Sequence, residues 1–302
     1  VTTSAALLQR FLADDPVILD GATGTELERR GFVTRLPLWS AAALTDAPDL
    51  VETIHREYVA AGARLLVANT FRTNVRTLRA AGRLDDGPAL NHQAVELARR
   101  AAATADDVLV AASVAPVEDC YHPERTPGAD TLRAEHEQMM TWLRAAAPDL
   151  VWIETMGTIR EARIAAAAAA EAGLPLAVSF ITRADGTLLG GEPLADAVDA
   201  VEPCDPVAIG LNCVPPTGLT ANLARLRPLT SRPLATYAHI NNPVPTPGWT
   251  FAEFASPDEY ARHARDWRAL GARLIGGCCG TTPAHIAALR QVATDPADEA
   301  AI

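Results

Sequence analysis

Two adjacent cysteines, Cys278 and Cys279, stand in the stretch IGGCCGTTPAHI from Ile275 to Ile286. Neighbouring side chains on an extended chain point to opposite faces, so a regular strand cannot aim both thiols at one target. The flanking Gly276, Gly277 and Gly280 predict a backbone that leaves β geometry and turns both sulfurs the same way. A third cysteine, Cys213, follows the apolar run VAIGLN at 207–212. Three thiolates from two strand ends suit Zn2+, which takes tetrahedral sulfur ligands and keeps a fourth position open in catalytic sites. The competing explanation is that cysteine is a common core residue and glycine is common where strands end. That explanation suits a lone cysteine; a vicinal pair between glycines, with a third thiol at another strand end, favours metal. Cys204, in EPCDP before the same run, is expected at the opposite end of its strand, and Cys120, in EDCYH beside His122, reads as a loop residue that could approach the metal. Five cysteines in 302 residues are too few for a disulfide scaffold.

The elements that must position these thiols recur with a regular beat. Short apolar runs predict strands at 17–20 (VILD), 64–68 (RLLVA), 108–113 (VLVAAS), 150–154 (LVWIE), 176–180 (LAVSF), 207–212 (VAIGLN), 234–237 (LATY) and 273–277 (RLIGG). Amphipathic segments such as 48–61, 91–103 and 158–172 lie between them and predict helices. Near-continuous apolar strands alternating with helices indicate a parallel sheet covered on both faces. Eight such units in a chain of 302 residues predict an α/β fold, a (β/α)8 TIM barrel in a single domain spanning 1–302. No GxGxxG or GxxxxGK[ST] follows a strand, which removes the best argument for a nucleotide-binding sheet. Three breaks are too long for simple βα loops: 23–45, 115–130 and 239–256, the last containing Pro243, Pro245, Pro247 and Gly248. In a barrel all three lie at the C-terminal mouth, where loops build active sites.

The strand ends carry a ring of polar groups: Asp20, Asn69 with Thr70, Ser113, Glu154, Ser179, Asn212 with Cys213, His239, and Cys278 with Cys279. Glu154, in WIETM, is open to three roles: a general base, an ammonium clamp, or a mouth residue paired with an arginine. Asp20, in LDGATGTELERRG, is equally open, with an alternative in which it caps the amides of the Gly21–Gly24 turn. After the cysteine pair, Thr282 and Pro283 predict a helix start whose amide end faces the metal and favours anionic sulfur.

Composition excludes several partners. A net charge of −11 with no basic stripe argues against nucleic acid. No apolar run approaches the roughly 18 to 20 residues that cross a bilayer, and the alanine-rich stretch 164–170 is flanked by Arg163 and Glu171. The opening VTTSAALLQRFLADD lacks a basic leader, so a cytoplasmic location is expected.

The stretches ILDGATGTELERRG, PLWSA, VANTFRTN, WIETM, GLNC and GGCCGTTPAHI, in this order across nearly the whole chain, resemble the homocysteine S-methyltransferase family. GLNC followed by GGCCG is the most specific of these. The resemblance implies a zinc barrel in which Cys213, Cys278 and Cys279 bind the metal and the homocysteine sulfur takes the fourth position. It also implies that Glu154 and Asp20 lie in the amino-acid site, with Glu154 holding the substrate ammonium and Asn69, Thr70 and Ser179 as further wall residues.

The chain departs from the family in one place. Where a Tyr-Pro-Asn-Ser/Ala-Gly stretch is common after strand seven, this sequence has YAHINNPVP, with His239 near the usual asparagine. His239 is then either a fourth zinc ligand when substrate is absent, a sign of another thiol or donor, or a loop histidine facing water. The folate and corrinoid modules of large methionine synthases require far more chain, which favours a diffusible sulfonium donor, S-methylmethionine or S-adenosylmethionine. A separate methyl-corrinoid protein is the alternative donor, since ANTFRTN and IETM also resemble the homocysteine module of corrinoid enzymes. A betaine donor fits less well without the longer C-terminal extension of those enzymes. The remaining alternatives are a methyltransferase for another small thiol and a non-catalytic redox sensor with a Cys278–Cys279 disulfide.

Overall fold

The computed structural model describes residues 3–13, 15–240 and 255–294. Eight strands appear where the apolar runs place them: β1 (Val17–Ile18), β2 (Leu65–Ala68), β3 (Leu109–Val114), β4 (Leu150–Met156), β5 (Leu176–Phe180), β6 (Ala208–Asn212), β7 (Leu234–Ala238) and β8 (Ala272–Gly277). They pair in parallel in the order β1-β8-β7-β6-β5-β4-β3-β2. The remaining seam is closed by a parallel bridge between Leu19 and Leu65, where the Asp20 N–H donates to the Leu65 carbonyl at 3.0 Å. The sheet is therefore a closed (β/α)8 barrel.

Closure explains why the strands read as unbroken apolar runs: both faces are buried, but in different cores. Inward residues, including Val17, Leu19, Leu65, Ala111, Leu150, Trp152, Ala177, Ala235 and Leu274, form one cluster inside the barrel. Their neighbours, such as Ile18, Leu66, Val110, Val151, Val178, Ile209 and Ile275, pack outward in the larger cluster shared with the helices. The helix Ser4–Phe11 adds Leu7 and Phe11 to the inner cluster, while its Arg10 reaches Asp107 just before β3 at 2.5 Å.

The helix expected at 48–61 is Pro48–Ala61, ended by Gly62 in the left-handed region at φ 117°. That expected at 91–103 begins earlier, as Gly87–Ala102, because Pro88 sits in a first turn that needs no N–H from it. The third is Ile159–Glu171, with the Thr158 hydroxyl accepting from the Glu161 N–H. Among the described residues no helix is long and apolar enough to cross a membrane.

Of the three long breaks, 23–45 is not one irregular loop. It holds the helix Gly24–Arg29 and the 3-10 turn Trp39–Ala42 and leads into the one-turn helix Ala43–Asp46, and the buried Glu26 ties Arg29 and Arg30 together at 2.5 and 2.6 Å. The third break lies mostly outside the described residues, including Pro243, Pro245, Pro247 and Gly248.

One irregularity in the sheet bears on the site. Between Ile153 paired with Val178 and Met156 paired with Phe180, β4 has one residue more than β5. This bulge falls at Glu154 and Thr155, and Thr155 takes a positive φ of 61°.

Candidate active site

A cavity opens at the C-terminal ends of the strands, and Asp20, Asn69, Glu154, Cys213, Cys278 and Cys279 all line it. Its sulfur side is built by β6 and β8. Cys213 turns out of β6 at φ 54°, a strained conformation for a residue with a Cβ, next to Asn212. The Asn212 side-chain carbonyl accepts from the Thr155 N–H at 3.0 Å, and its amide donates to the Thr155 hydroxyl at 2.8 Å. The two positive-φ residues, on β4 and after β6, are thus braced by one buried asparagine.

At the end of β8 only Gly280 leaves the ordinary backbone region, at φ 82°. Gly276 and Gly277 stay within the strand, contrary to the expectation that all three glycines release it from β geometry. They are needed for closeness: a Cβ on Gly276 would lie 2.6 Å from the Leu19 Cβ and 2.9 Å from the Asp20 carbonyl, and one on Gly277 would collide with Thr281. The cysteine pair sits beyond the strand, where the Cys278 N–H donates to the Ala238 carbonyl and the Cys279 carbonyl accepts from Ile240, both at 2.9 Å.

Cys213 and Cys278 are joined as a disulfide with Cα atoms 5.8 Å apart, and Cys279 is a free, buried thiol. The sulfurs that meet in this structure come from different strands and are not the Cys278–Cys279 pair that a vicinal-disulfide sensor would join. With that bond in place, the described residues offer no set of three metal ligands, because a disulfide sulfur is not a thiolate. The donor set nonetheless fits a zinc ion when reduced. Two sulfurs already converge to bonding range, and the third opens on the same cavity.

The opposite side of the cavity is built from inward positions on β3, β4, β5 and β7. Glu154 is buried and accepts from the Ser113 hydroxyl at 2.5 Å and the Tyr237 hydroxyl at 3.3 Å. Tyr237 also shares a hydrogen bond with Ser179 at 2.6 Å, and Trp152 donates to Ser179 at 3.2 Å. Burial pushes the Glu154 carboxyl up to about 7, against the two hydroxyls that favour its charge. Among the described residues its hydrogen-bond partners are the hydroxyls of Ser113 and Tyr237 and not an arginine, which goes against the paired-mouth-residue reading. Asp20 accepts from the Val67 N–H at 2.9 Å, so it braces β2 instead of capping the Gly21–Gly24 turn. Burial, and then the nearby Glu154 charge, hold Asp20 well above the usual carboxylate range despite that N–H. His55 Nδ1 stands 3.8 Å from Asp20, but burial lowers this histidine to about 4, so its neutral ring brings no charge to the site.

The sequence model of the homocysteine S-methyltransferase family matches residues 17–293. The chain belongs to the homocysteine S-methyltransferase family. The homocysteine S-methyltransferase of Escherichia coli (strain K12) is 34% identical over 296 residues, covering 91% of this chain and 94% of the relative. The crystal structure of the homocysteine methyltransferase MmuM from Escherichia coli in its metallated form matches with a TM-score of 0.80 and 32% identity, over 92% of this chain and 96% of that one. Its oxidised form matches with a TM-score of 0.81 and 32% identity, over 94% and 99%.

Within this family member, the other expected site residues divide by depth. Asn69 lines the cavity, but its side chain is engaged by Ser40: its amide donates to the Ser40 carbonyl and its carbonyl accepts from the Ser40 hydroxyl, both at 2.8 Å. Thr70 and Ser179 are not among the lining residues; Thr70 donates to the Ser113 carbonyl at 2.7 Å, and Ser179 stands behind Tyr237. His239 does not face water. It is buried against the turn after β6, its ring engages the Cys213 backbone, and burial lowers it to about 4. It is not among the cavity's lining residues.

Cys204 lies in the turn Glu202–Cys204 before β6, at the far end of the strand from Cys213, as expected. Cys120, read as a loop residue, lines the cavity and is buried. Trp39, Ser40, Phe71, Tyr121 and Tyr237 also line it without having been singled out. Tyr237 could have been found from the alternation, since it stands two residues after the inward Ala235.

Proposed function

We propose that this homocysteine S-methyltransferase family enzyme methylates homocysteine to methionine, with zinc held by Cys213, Cys278 and Cys279 and a diffusible sulfonium as donor. The observation that carries the reading is the convergence of three cysteines from two strand ends on a cavity that also contains two buried carboxylates. Zinc at such a site lowers the pKa of a bound thiol, so that its sulfur is a nucleophile at neutral pH. A reducing compartment suits this chemistry, because Cys213, Cys278 and Cys279 serve as metal ligands only as thiolates.

The chain's own groups do the positioning. Glu154, fixed by Ser113 and Tyr237, offers a carboxylate to the substrate ammonium, and Asp20 adds a second acidic group to the same pocket. With the thiol activated by metal, Glu154 has little to do as a base; the clamp role is the better fit. At the mouth, Trp39 and Phe71 meet edge to face with ring centroids 6.3 Å apart, and Tyr121 lines the same opening. Aromatic faces attract cations, which supports a positively charged sulfonium as the donor.

Methionine formation from homocysteine tests the reading, with zinc-loaded protein and S-methylmethionine, S-adenosylmethionine or a methyl-corrinoid protein as donor. Transfer from either sulfonium is expected. Transfer from the methyl-corrinoid alone would replace the donor, transfer only to another thiol would replace the acceptor, and no transfer to any thiol would sink the function.

A further inference from the structure

Thr155 follows Glu154 in the bulge of β4, and both it and Asn212 are fully buried. In a regular strand its side chain would point away from the face that Glu154 uses. The bulge and the positive φ of 61° turn it instead toward the end of β6, where its hydroxyl meets two groups. A β-branched residue seldom takes that backbone region, so the turn is held against strain.

Asn212 decides which way the hydroxyl proton points. The Thr155 N–H can only donate, and it does so to Asn212 Oδ1 at 3.0 Å. That fixes the amide: its NH2 group must face Thr155 Oγ1, which accepts from it at 2.8 Å. With Oγ1 accepting from Asn212, its single proton is left for a different partner. Among the described residues that partner is the sulfur of Cys213, 4.0 Å away. The contact is long where Cys213 is tied to Cys278. A thiolate carries charge, so it accepts more strongly and at shorter range than a disulfide sulfur.

We infer that Thr155 is a positioning residue for the metal: its hydroxyl, aimed by Asn212, donates to the Cys213 thiolate, orients that ligand and lowers the energy of its lone pairs. Groups behind metal ligands act in this way, and hydrogen bonds to sulfur tune its donor strength. The inference rests on the proposed function, in which reduced Cys213 binds zinc. It gives the bulge a double role, with Glu154 turned to the acidic side of the cavity and Thr155 to the sulfur side.

Two measurements on the reduced protein test it without reference to activity: zinc affinity by competition with a chelator, and the absorption spectrum after cobalt replaces zinc. Thr155→Val keeps the shape and loses the hydroxyl. It should weaken zinc binding about tenfold to a hundredfold. It should also move the sulfur-to-cobalt charge-transfer band to longer wavelength, because a thiolate without its hydrogen bond gives up an electron more readily. Thr155→Ser keeps the hydroxyl and should keep both the affinity and the band. Thr155→Ala, which has no β-branch to strain at positive φ, is read in the same way if Thr155→Val folds poorly. A band that stays in place without the hydroxyl, or one that moves as far in Thr155→Ser, would overturn the role of Thr155 while leaving the zinc reading intact. Wild type that binds neither zinc nor cobalt would defeat that reading and this inference with it.

Discussion

The two sides of the cavity are built in different ways. The sulfur side depends on backbone: a left-handed Cys213, a left-handed Gly280, and glycines that let β8 lie against Leu19 and Asp20. The acidic side depends on side chains from four strands, with Glu154 held by Ser113 and Tyr237, and Tyr237 held by Ser179. A backbone device places its groups whether or not a ligand is bound. A hydroxyl network also sets the charge of the group it holds, so the acidic side should answer to pH and the sulfur side to redox state and metal.

The largest effect expected from breaking this contrast is at the sulfurs. Replacing Cys213, Cys278 or Cys279 with alanine should abolish stoichiometric zinc, measured by metal analysis, because three protein ligands are the usual minimum for a catalytic site. Cys204→Ala should keep the metal. Full zinc retention in the Cys278→Ala and Cys279→Ala proteins would remove the sulfur side from the mechanism.

On the acidic side, Glu154→Gln should keep zinc and fold but weaken homocysteine binding about tenfold to a hundredfold, the worth of a charge-assisted hydrogen bond. The loss should shrink for a thiol without an amino group; equal losses for the two thiols would indicate a general base instead. The same residue gives a pH signature. Its carboxyl is raised from 4.5 to about 7 in the fold, so between these values the native state holds a proton that the unfolded chain has released. Stability of the ligand-free protein should therefore fall as pH rises through this window, by on the order of 3 kcal/mol, and Glu154→Gln should flatten that slope in denaturant titrations. Ammonium binding should run the other way, strengthening as pH rises through 7 and the carboxylate ionises.

Gly276→Ala probes the close approach of β8 to β1. Its Cβ would press on the Leu19 Cβ and the Asp20 carbonyl, neither of which is a flexible side-chain end, so a loss of about 1–3 kcal/mol is expected by thermal melting. An unchanged melting temperature would show that the two strands can separate freely. The smallest effect belongs to Tyr237→Phe, which removes a hydroxyl that favours the charged form of Glu154. A hydrogen bond worth about 1 kcal/mol should move the midpoint of pH-dependent binding upward by about half to one pH unit. A downward movement would mean that the tyrosine does not stabilise the carboxylate.

Much of this site was legible because a barrel strand has a strict period of two. Once eight apolar runs are placed, their polar ends form a ring, and Asp20, Glu154, Cys213, Cys278 and Cys279 all reach the cavity. Thr70 and Ser179, expected at the wall from the family resemblance, stand one layer back, with their hydroxyls engaged by the Ser113 carbonyl and by Tyr237. His239 was ambiguous because a sequence does not reveal that the chain folds it under the Cys213 turn.

The sequence by itself determined the strand count, the alternation that divides inner from outer core, and the presence of three thiols at two strand ends. These follow from local periodicity and from residue chemistry, which need no knowledge of partners. Only the tertiary structure decided that Cys213 meets Cys278 instead of Cys279 pairing with its neighbour, and that a bulge at Glu154 and Thr155 is braced by Asn212. Each of these depends on which distant segments barrel closure brings together, as when Cys213 and Cys278 meet across a separation of 65 residues. A pattern of period two carries no record of such meetings.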